Sequence, residues 1–183
     1  TYGSTTYLIC GSTSSTSTAQ NAADLGVASP WGNFRSRGNL TAKFADGDKD
    51  HRYMFFTEGQ QQYITDFTNQ QDGYLFTKWT NLKDNGETAS NTASYGAATD
   101  FPLFRLADVY LMYAEAVVRG GNGGSRTQAL AYINDLRKRA YGDESGNIKE
   151  SQLNKEFIID ERARELYMEG YRRTDLIRFG EFT

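Results

Sequence analysis

The chain has 183 residues, with 20 Lys plus Arg against 23 Asp plus Glu, a net charge of -3, and 38% hydrophobic residues that include 12 Tyr, 11 Phe and 2 Trp. So much apolar and aromatic side chain excludes a disordered chain, and the near balance of charge excludes the basic footprint that nucleic acid or an anionic membrane surface selects. A single histidine, His51, and a single cysteine, Cys10, exclude His-rich zinc sites, Cys-based clusters and an internal disulfide framework within this chain.

The first stretch, Thr1-Tyr2-Gly3-Ser4, has neither the basic start nor the apolar run of a secretory leader. No run reaches the ~18 apolar residues of a spanning helix. Together with the unterminated aromatics of Phe179-Gly180-Glu181-Phe182-Thr183, this reads as a fragment of a longer single-chain protein. Ser or Thr occupies 11 of the first 20 positions, a composition expected to behave as a linker because it buries little apolar area against its ordering entropy. Cys10 follows Ile9, too large a residue to precede a lipidated cysteine, and reads as a structural thiol. Further on, Ser29-Pro30-Trp31-Gly32-Asn33-Phe34-Arg35 carries loop punctuation around an aromatic. Asp46-Gly47-Asp48-Lys49-Asp50 has the first, third and fifth carboxylates of a calcium loop, but His51 and Thr57 stand where such a loop needs Gly and a bidentate Glu. A solvated turn is the expected outcome, and no metal. Asp72-Gly73 then predicts a turn into a short strand over Tyr74 to Thr80, with Trp79 in the core, followed by a polar loop from Asp84 to Thr99.

Residues 101–183 obey another rule, with 26 charged positions set in helical periodicity. Pro102 fits a first helical turn, and apolar residues on nearly every face from Leu103 to Val118 predict a helix buried between layers. The glycines from Gly120 to Gly124 stop it. Ser125 to Gln128 has capping-box spacing ahead of a second helix with Ala129, Ile133, Leu136 and Ala140 on one stripe. A third starts near Ser151 and carries Ile159, Ala163, Leu166 and Gly170. Ala114, Ala116, Ala129 and Ala131 suit the facing seams of a tetratricopeptide-like hairpin. The chain is thus expected to be mainly α: a loop-rich region with short strands over 1–100, packed with tetratricopeptide-like helices over 101–183.

Four blocks in this half resemble the SusD/RagB family: Arg105-Leu106-Ala107-Asp108-Val109-Tyr110-Leu111-Met112-Tyr113-Ala114-Glu115-Ala116, Ala131 to Ala140, Glu161 to Leu166, and Glu169-Gly170-Tyr171-Arg172-Arg173-Thr174-Asp175 on to Gly180. Asp50-His51-Arg52-Tyr53-Met54-Phe55-Phe56 and Lys78-Trp79 fit the segments that precede those blocks. The resemblance implies an outer-membrane, cell-surface lipoprotein of Bacteroidetes whose lipidated N-terminus is absent from this chain. It further implies binding of oligosaccharide or polysaccharide, with a starch-type α-glucan or maltooligosaccharide as ligand and a SusC-like TonB-dependent transporter as partner. No catalysis and no cofactor are implied. By the same resemblance, in which an arc of Trp and Tyr cradles the glucan, Tyr7 and Trp31 take the platform positions.

The chemistry of the residues suits that reading, since the C–H face of a pyranose stacks on a flat ring while its hydroxyls need fixed polar partners. Trp31 supplies the ring, and Asn33, Arg35 and Arg37 lie within reach of hydroxyls. Two alternatives stand beside it: Trp31 plugging a small core under its loop, and Tyr7 packed inward on a strand. An interaction module that docks a transporter without touching glycan is the alternative function. Glu161, Glu165 and Glu169 share one helix face, where carboxylates for glycosidic cleavage would be sought. Their neighbours Arg162, Arg164, Arg172, Arg173 and Arg178 instead predict a structural network of ion pairs that also takes in Asp175. His51 has no nucleophile-elbow motif near it.

Overall fold

A computed structural model describes residues 5–14, 20, 22–28, 30–90 and 97–182, and these are mainly helical with one small antiparallel sheet. The chain divides into two compact units, one of Thr1–Ala42 with Met54–Phe101 and the other of Lys43–Tyr53 with Pro102–Thr183. The segment 43–53 therefore belongs with the helices, which departs from a single division at residue 100.

In the first unit the Ser/Thr-rich start is ordered where it is described, as helix α1 (Thr6–Ser12). Its linker-like composition misleads because threonine hydroxyls find partners inside the fold. Thr13 donates to the Ile9 carbonyl at 2.8 Å, Thr6 accepts the Ala97 amide at 3.0 Å, and Thr5 donates to the Thr99 carbonyl. A buried hydroxyl with a partner costs far less than an orphaned one. Ile9 and Cys10 turn inward and pack with Val27 and Ala97, flanked by Trp31 and Trp79. Burial in that apolar setting pushes the Cys10 thiol pKa up, the behaviour of a structural thiol. Tyr2, and residues 15–19 of the Ser/Thr tract, lie outside the described residues.

The strands β1 (Arg35–Ser36), β2 (Phe55–Phe56) and β3 (Tyr74–Phe76) form a sheet in the order β1-β3-β2, with Arg35 opposite Leu75 and Phe55 opposite Phe76. The strand expected from Tyr74 to Thr80 stops at Phe76, and Trp79 beyond it stacks on Phe101 with centroids 5.6 Å apart. Between β1 and β2 comes the short helix α2 (Gly38–Thr41). Asn81 is fully buried and cross-braces the unit, donating from Nδ2 to the Gly26 carbonyl at 3.2 Å and accepting the Ala98 amide at 2.8 Å. Gly26 has φ +69°, and a Cβ there would collide with the Asn81 carbonyl, so no other residue fits. Residues 91–96 of the predicted polar loop lie outside the described residues.

The second unit is built on helices α3 (Leu106–Val118), α4 (Arg126–Tyr141), α5 (Lys155–Leu166) and α6 (Arg172–Phe179). Leu111 and Ala114 of α3, Ala129, Ile133 and Leu136 of α4, and Ile158 and Leu166 of α5 share one core. The α4 stripe is the one that the sequence predicts, and Ser125 caps its helix by accepting the Gln128 amide.

Three helical expectations change. Helix α3 begins at Leu106 rather than Leu103, because Arg105 is extended (φ -146°, ψ 155°) and sends its side chain to Glu165 and Glu169. It is not buried between layers either: Ala107, Leu111 and Ala114 face the core, whereas Leu106, Val109 and Met112 are exposed, as are the seam candidates Ala116 and Ala131. Gly170 lies beyond α5, which ends at Leu166. Tyr167 turns extended there, Met168 takes φ +60°, and the Tyr167 hydroxyl donates to the Arg52 carbonyl at 2.8 Å.

Candidate functional site

The residues around α1 form the candidate site. The segment 31–34 runs along the helix and is laced to its carbonyl ends, with Trp31 N–H donating to Cys10 O at 2.8 Å, Gly32 N–H to Thr13 O at 2.8 Å, and Phe34 N–H to Gly11 O at 2.7 Å. Those three bonds satisfy carbonyls that a short helix leaves open at its C-terminus, which is why a Trp-Gly-Asn-Phe loop holds one shape. The Trp31 ring meets Tyr7 edge to face, with centroids 5.3 Å apart and planes at 62°. Tyr7 lies on the outward face of α1 and is 58% exposed. Trp31 is half-buried, one side against the Ile9, Cys10, Val27 and Ala97 cluster. It therefore fills a small core and still meets an exposed tyrosine, so the two readings of Trp31 are not exclusive. Tyr7 is not on a strand and does not pack inward.

Asn33 is exposed between these aromatics in sequence, and Phe34 is 39% exposed. The Arg35 guanidinium is committed to the protein's own backbone: it donates to Phe67 O at 2.7 Å, to Asp72 O at 2.8 Å and to Asn69 O. It thereby holds the 67–72 loop. Asp72 clamps that loop from within, accepting the Thr65 hydroxyl at 2.7 Å, the Thr65 and Asp66 amides at 2.7 and 2.8 Å, and Asn69 Nδ2 at 2.7 Å. These donors, the Thr65 hydroxyl foremost, hold the Asp72 carboxyl down at about 2.

The second constellation is charged and lies in the helical unit. Glu161 has no exposed surface and accepts from Arg52 Nη1 at 2.8 Å, Arg137 Nη1 at 2.9 Å and Arg164 Nη2 at 2.6 Å. Glu165 accepts from Arg52 Nη1 at 3.1 Å, Arg105 Nη1 at 2.6 Å and Arg139 Nη2 at 2.6 Å, and Glu169 takes Arg105 Nε at 2.7 Å. Burial by itself would push the Glu165 carboxyl up, but the guanidinium groups of Arg52 and Arg139 outweigh it and hold the group at about 2. Glu161 is lowered in the same way, chiefly by Arg52 against the cost of burial.

The expected network is thus present with different members. Of the predicted arginines, Arg164 reaches Glu161. Arg162 pairs with Asp108 at 2.8 Å and Asp175 at 2.9 Å, and Arg178 with Asp175 at 2.7 Å and Glu115 at 2.8 Å, so Asp175 belongs to a separate cluster. Arg172 donates to the Ile159 carbonyl, and Arg173 lies over Phe182. Arg52, Arg105, Arg137 and Arg139 are what the sequence reading missed. The available signal was Asp50-His51-Arg52, whose two charged members close on each other at 2.7 Å.

Of the calcium-like carboxylates, Asp50 is spent on Arg52, and Asp46 accepts the Tyr141 hydroxyl at 2.6 Å. Burial and that bond push the Tyr141 phenol up to about 12. Among the described residues no three His, Cys, Asp or Glu side chains are grouped to hold a metal ion. Among them too, no helix is long and apolar enough to cross a membrane.

The sequence profile of the SusD family matches residues 13–183. The chain belongs to the SusD family. It is 41% identical over 142 residues to the starch-binding protein SusD of Bacteroides thetaiotaomicron, a match covering 77% of this chain and 24% of that protein. Two SusD-like proteins of Formosa agariphila are 41% identical over 93 residues, covering 49% of this chain and 17% of the relative, and 36% identical over 88 residues, covering 44% and 17%. The chain therefore spans about a quarter or less of the length of these relatives.

Proposed function

We propose that this SusD-family chain belongs to a non-catalytic cell-surface protein that binds oligosaccharide or polysaccharide of the starch type and delivers it to a TonB-dependent outer-membrane transporter. The observation that carries the reading is the Tyr7–Trp31 corner: two rings held edge to face at 5.3 Å on a bonded helix and loop, one of them 58% exposed, in a chain 41% identical to a starch-binding protein. Rings fixed in advance lose little freedom when a flat sugar face covers them, so more of the contact energy appears as affinity. Tyr7 and Trp31 serve as the stacking faces and Asn33 as the amide partner for hydroxyls. Arg35 acts by fixing the neighbouring loop. The Glu161 and Glu165 carboxylates are held ionised by arginines and have no proton to give a glycosidic oxygen, and Glu169 is paired with Arg105, which supports binding without cleavage. Attachment to the outer membrane belongs to a lipidated N-terminus in the longer protein.

The exposed Leu106, Val109 and Met112 on α3 favour a second reading, in which the helices dock the transporter without touching glycan. Affinity electrophoresis in a starch gel separates the two. Tyr7→Ala is the cleaner variant, because most of its ring lies outside the core; Trp31→Ala also loses packing against the Ile9 cluster. Both are expected to lose most of the retardation while keeping the helical circular dichroism of the parent. Unchanged retardation of the two folded variants would reject the glycan site and leave the docking reading.

A further inference from the structure

Gly11 stands four residues after Tyr7, and so one turn along the same face of α1, but unlike Tyr7 it is buried. What occupies the place of its missing side chain is the Phe34 ring: a Cβ built on Gly11 would come 2.7 Å from Phe34 Cδ2 and 2.8 Å from Cε2, closer than carbon atoms approach. The same pair is joined through the backbone, Phe34 N–H donating to Gly11 O at 2.7 Å. The ring is thus seated on bare helix backbone. It nevertheless stays 39% exposed, although a phenyl ring with no polar atom gains by burial. Trp31, three residues earlier in the same bonded segment, meets Tyr7. Trp31 thus meets α1 at Tyr7 and Phe34 meets it at Gly11, one turn further on, each held by a backbone hydrogen bond to the helix end.

We infer that Phe34, seated over Gly11, is a third stacking face that lengthens the binding site by one further sugar, so that the site takes an oligosaccharide chain rather than a mono- or disaccharide end. The inference rests on the glycan reading above. Phenylalanine offers stacking area without a hydroxyl of its own, which suits the apolar C–H face of a pyranose and asks nothing of the linkage. Glycine at position 11 is the specificity element, because any side chain there lifts the ring off the helix.

The test compares maltotriose with maltoheptaose by isothermal titration, using the native full chain and three variants. Phe34→Leu keeps an apolar side chain over Gly11 but removes the flat face, and Gly11→Ala keeps the ring but displaces it. Both are expected to weaken maltoheptaose binding about tenfold and to change maltotriose binding less than twofold. Trp31→Ala is expected to lose both ligands. Equal loss of both sugars in Phe34→Leu would overturn the inference, because Phe34 would then be shaping the Tyr7–Trp31 corner rather than extending it. Wild-type affinity for maltoheptaose in Phe34→Leu would overturn it as well. If Trp31→Ala kept both ligands, the glycan reading itself would fall, an outcome distinct from a failure confined to Phe34.

Discussion

Removal of Glu161 is the sharpest probe of what holds the helical unit together. Its carboxylate is fully buried and faces three guanidinium groups, from Arg52, Arg137 and Arg164. In Glu161→Ala, Arg52 still has Asp50 at 2.7 Å and Glu165 at 3.1 Å, and Arg164 is only partly buried and keeps the Lys43 carbonyl at 2.9 Å. Arg137 fares worst. It is 8% exposed and retains only the Gly146 carbonyl, a 3.3 Å contact with the Tyr141 hydroxyl, and the faces of Tyr141 and Phe157. Stranding a buried charge costs about 3 to 5 kcal/mol. At ~2 to 4 °C per kcal/mol for a domain of this size, the melting temperature should fall by about 10 °C. Glu165→Ala should cost less, because Arg105 keeps Glu169 and the Arg139 side chain is 55% exposed and returns to water. Thermal unfolding followed at 222 nm gives the order wild type, Glu165→Ala, Glu161→Ala. Maltoheptaose affinity measured well below the transitions should be unchanged in both. Equal melting of Glu161→Ala and wild type, or a larger loss from Glu165→Ala, would refute the view that a stranded Arg137 sets the cost.

The depressed Glu165 pKa predicts an acid transition: a carboxyl at about 2 in the folded state, against about 4.5 unfolded, contributes stability that is complete above pH ~4.5 and is lost as pH falls through about 2. The difference between the two corresponds to ~3 kcal/mol for this one group. Urea midpoints measured between pH 5 and pH 2.5 should therefore decline, and the decline should be shallower in Glu165→Gln; a flat profile in the wild type would contradict the assignment. No release of reducing ends from starch or maltoheptaose is expected, since Glu161 and Glu165 on α5, and Glu169 beyond its end, are each paired with arginine. Activity that survives purification and disappears in Glu165→Gln would reverse that conclusion.

Pieces whose physics is local are legible in the chain alone. The steps from Ala129 to Ala140 put four small or branched residues on one face of α4, and all four are buried. Ser125 caps its helix and the glycines from Gly120 end the one before, because capping and left-handed turns depend on the residue and its immediate neighbours. The four charged and aromatic blocks likewise carry the family resemblance within the chain itself. Tertiary structure decided what depends on distant partners. The Ser/Thr start forms a buried helix because its hydroxyls find the Ala97 amide and the Thr99 carbonyl, more than ninety residues away. Arg105 breaks the apolar run from Leu103 because it is drawn to Glu165 and Glu169, and Glu161 finds Arg52 and Arg137 from distant segments in addition to Arg164 on its own helix. In the candidate site, Tyr7 and Trp31 were legible as aromatics of the right kind. Their edge-to-face contact, the commitment of Arg35 to three carbonyls, and the seat of Phe34 on Gly11 arise only when α1 and the 31–34 segment are laced together. No periodicity within either segment encodes a contact made between them.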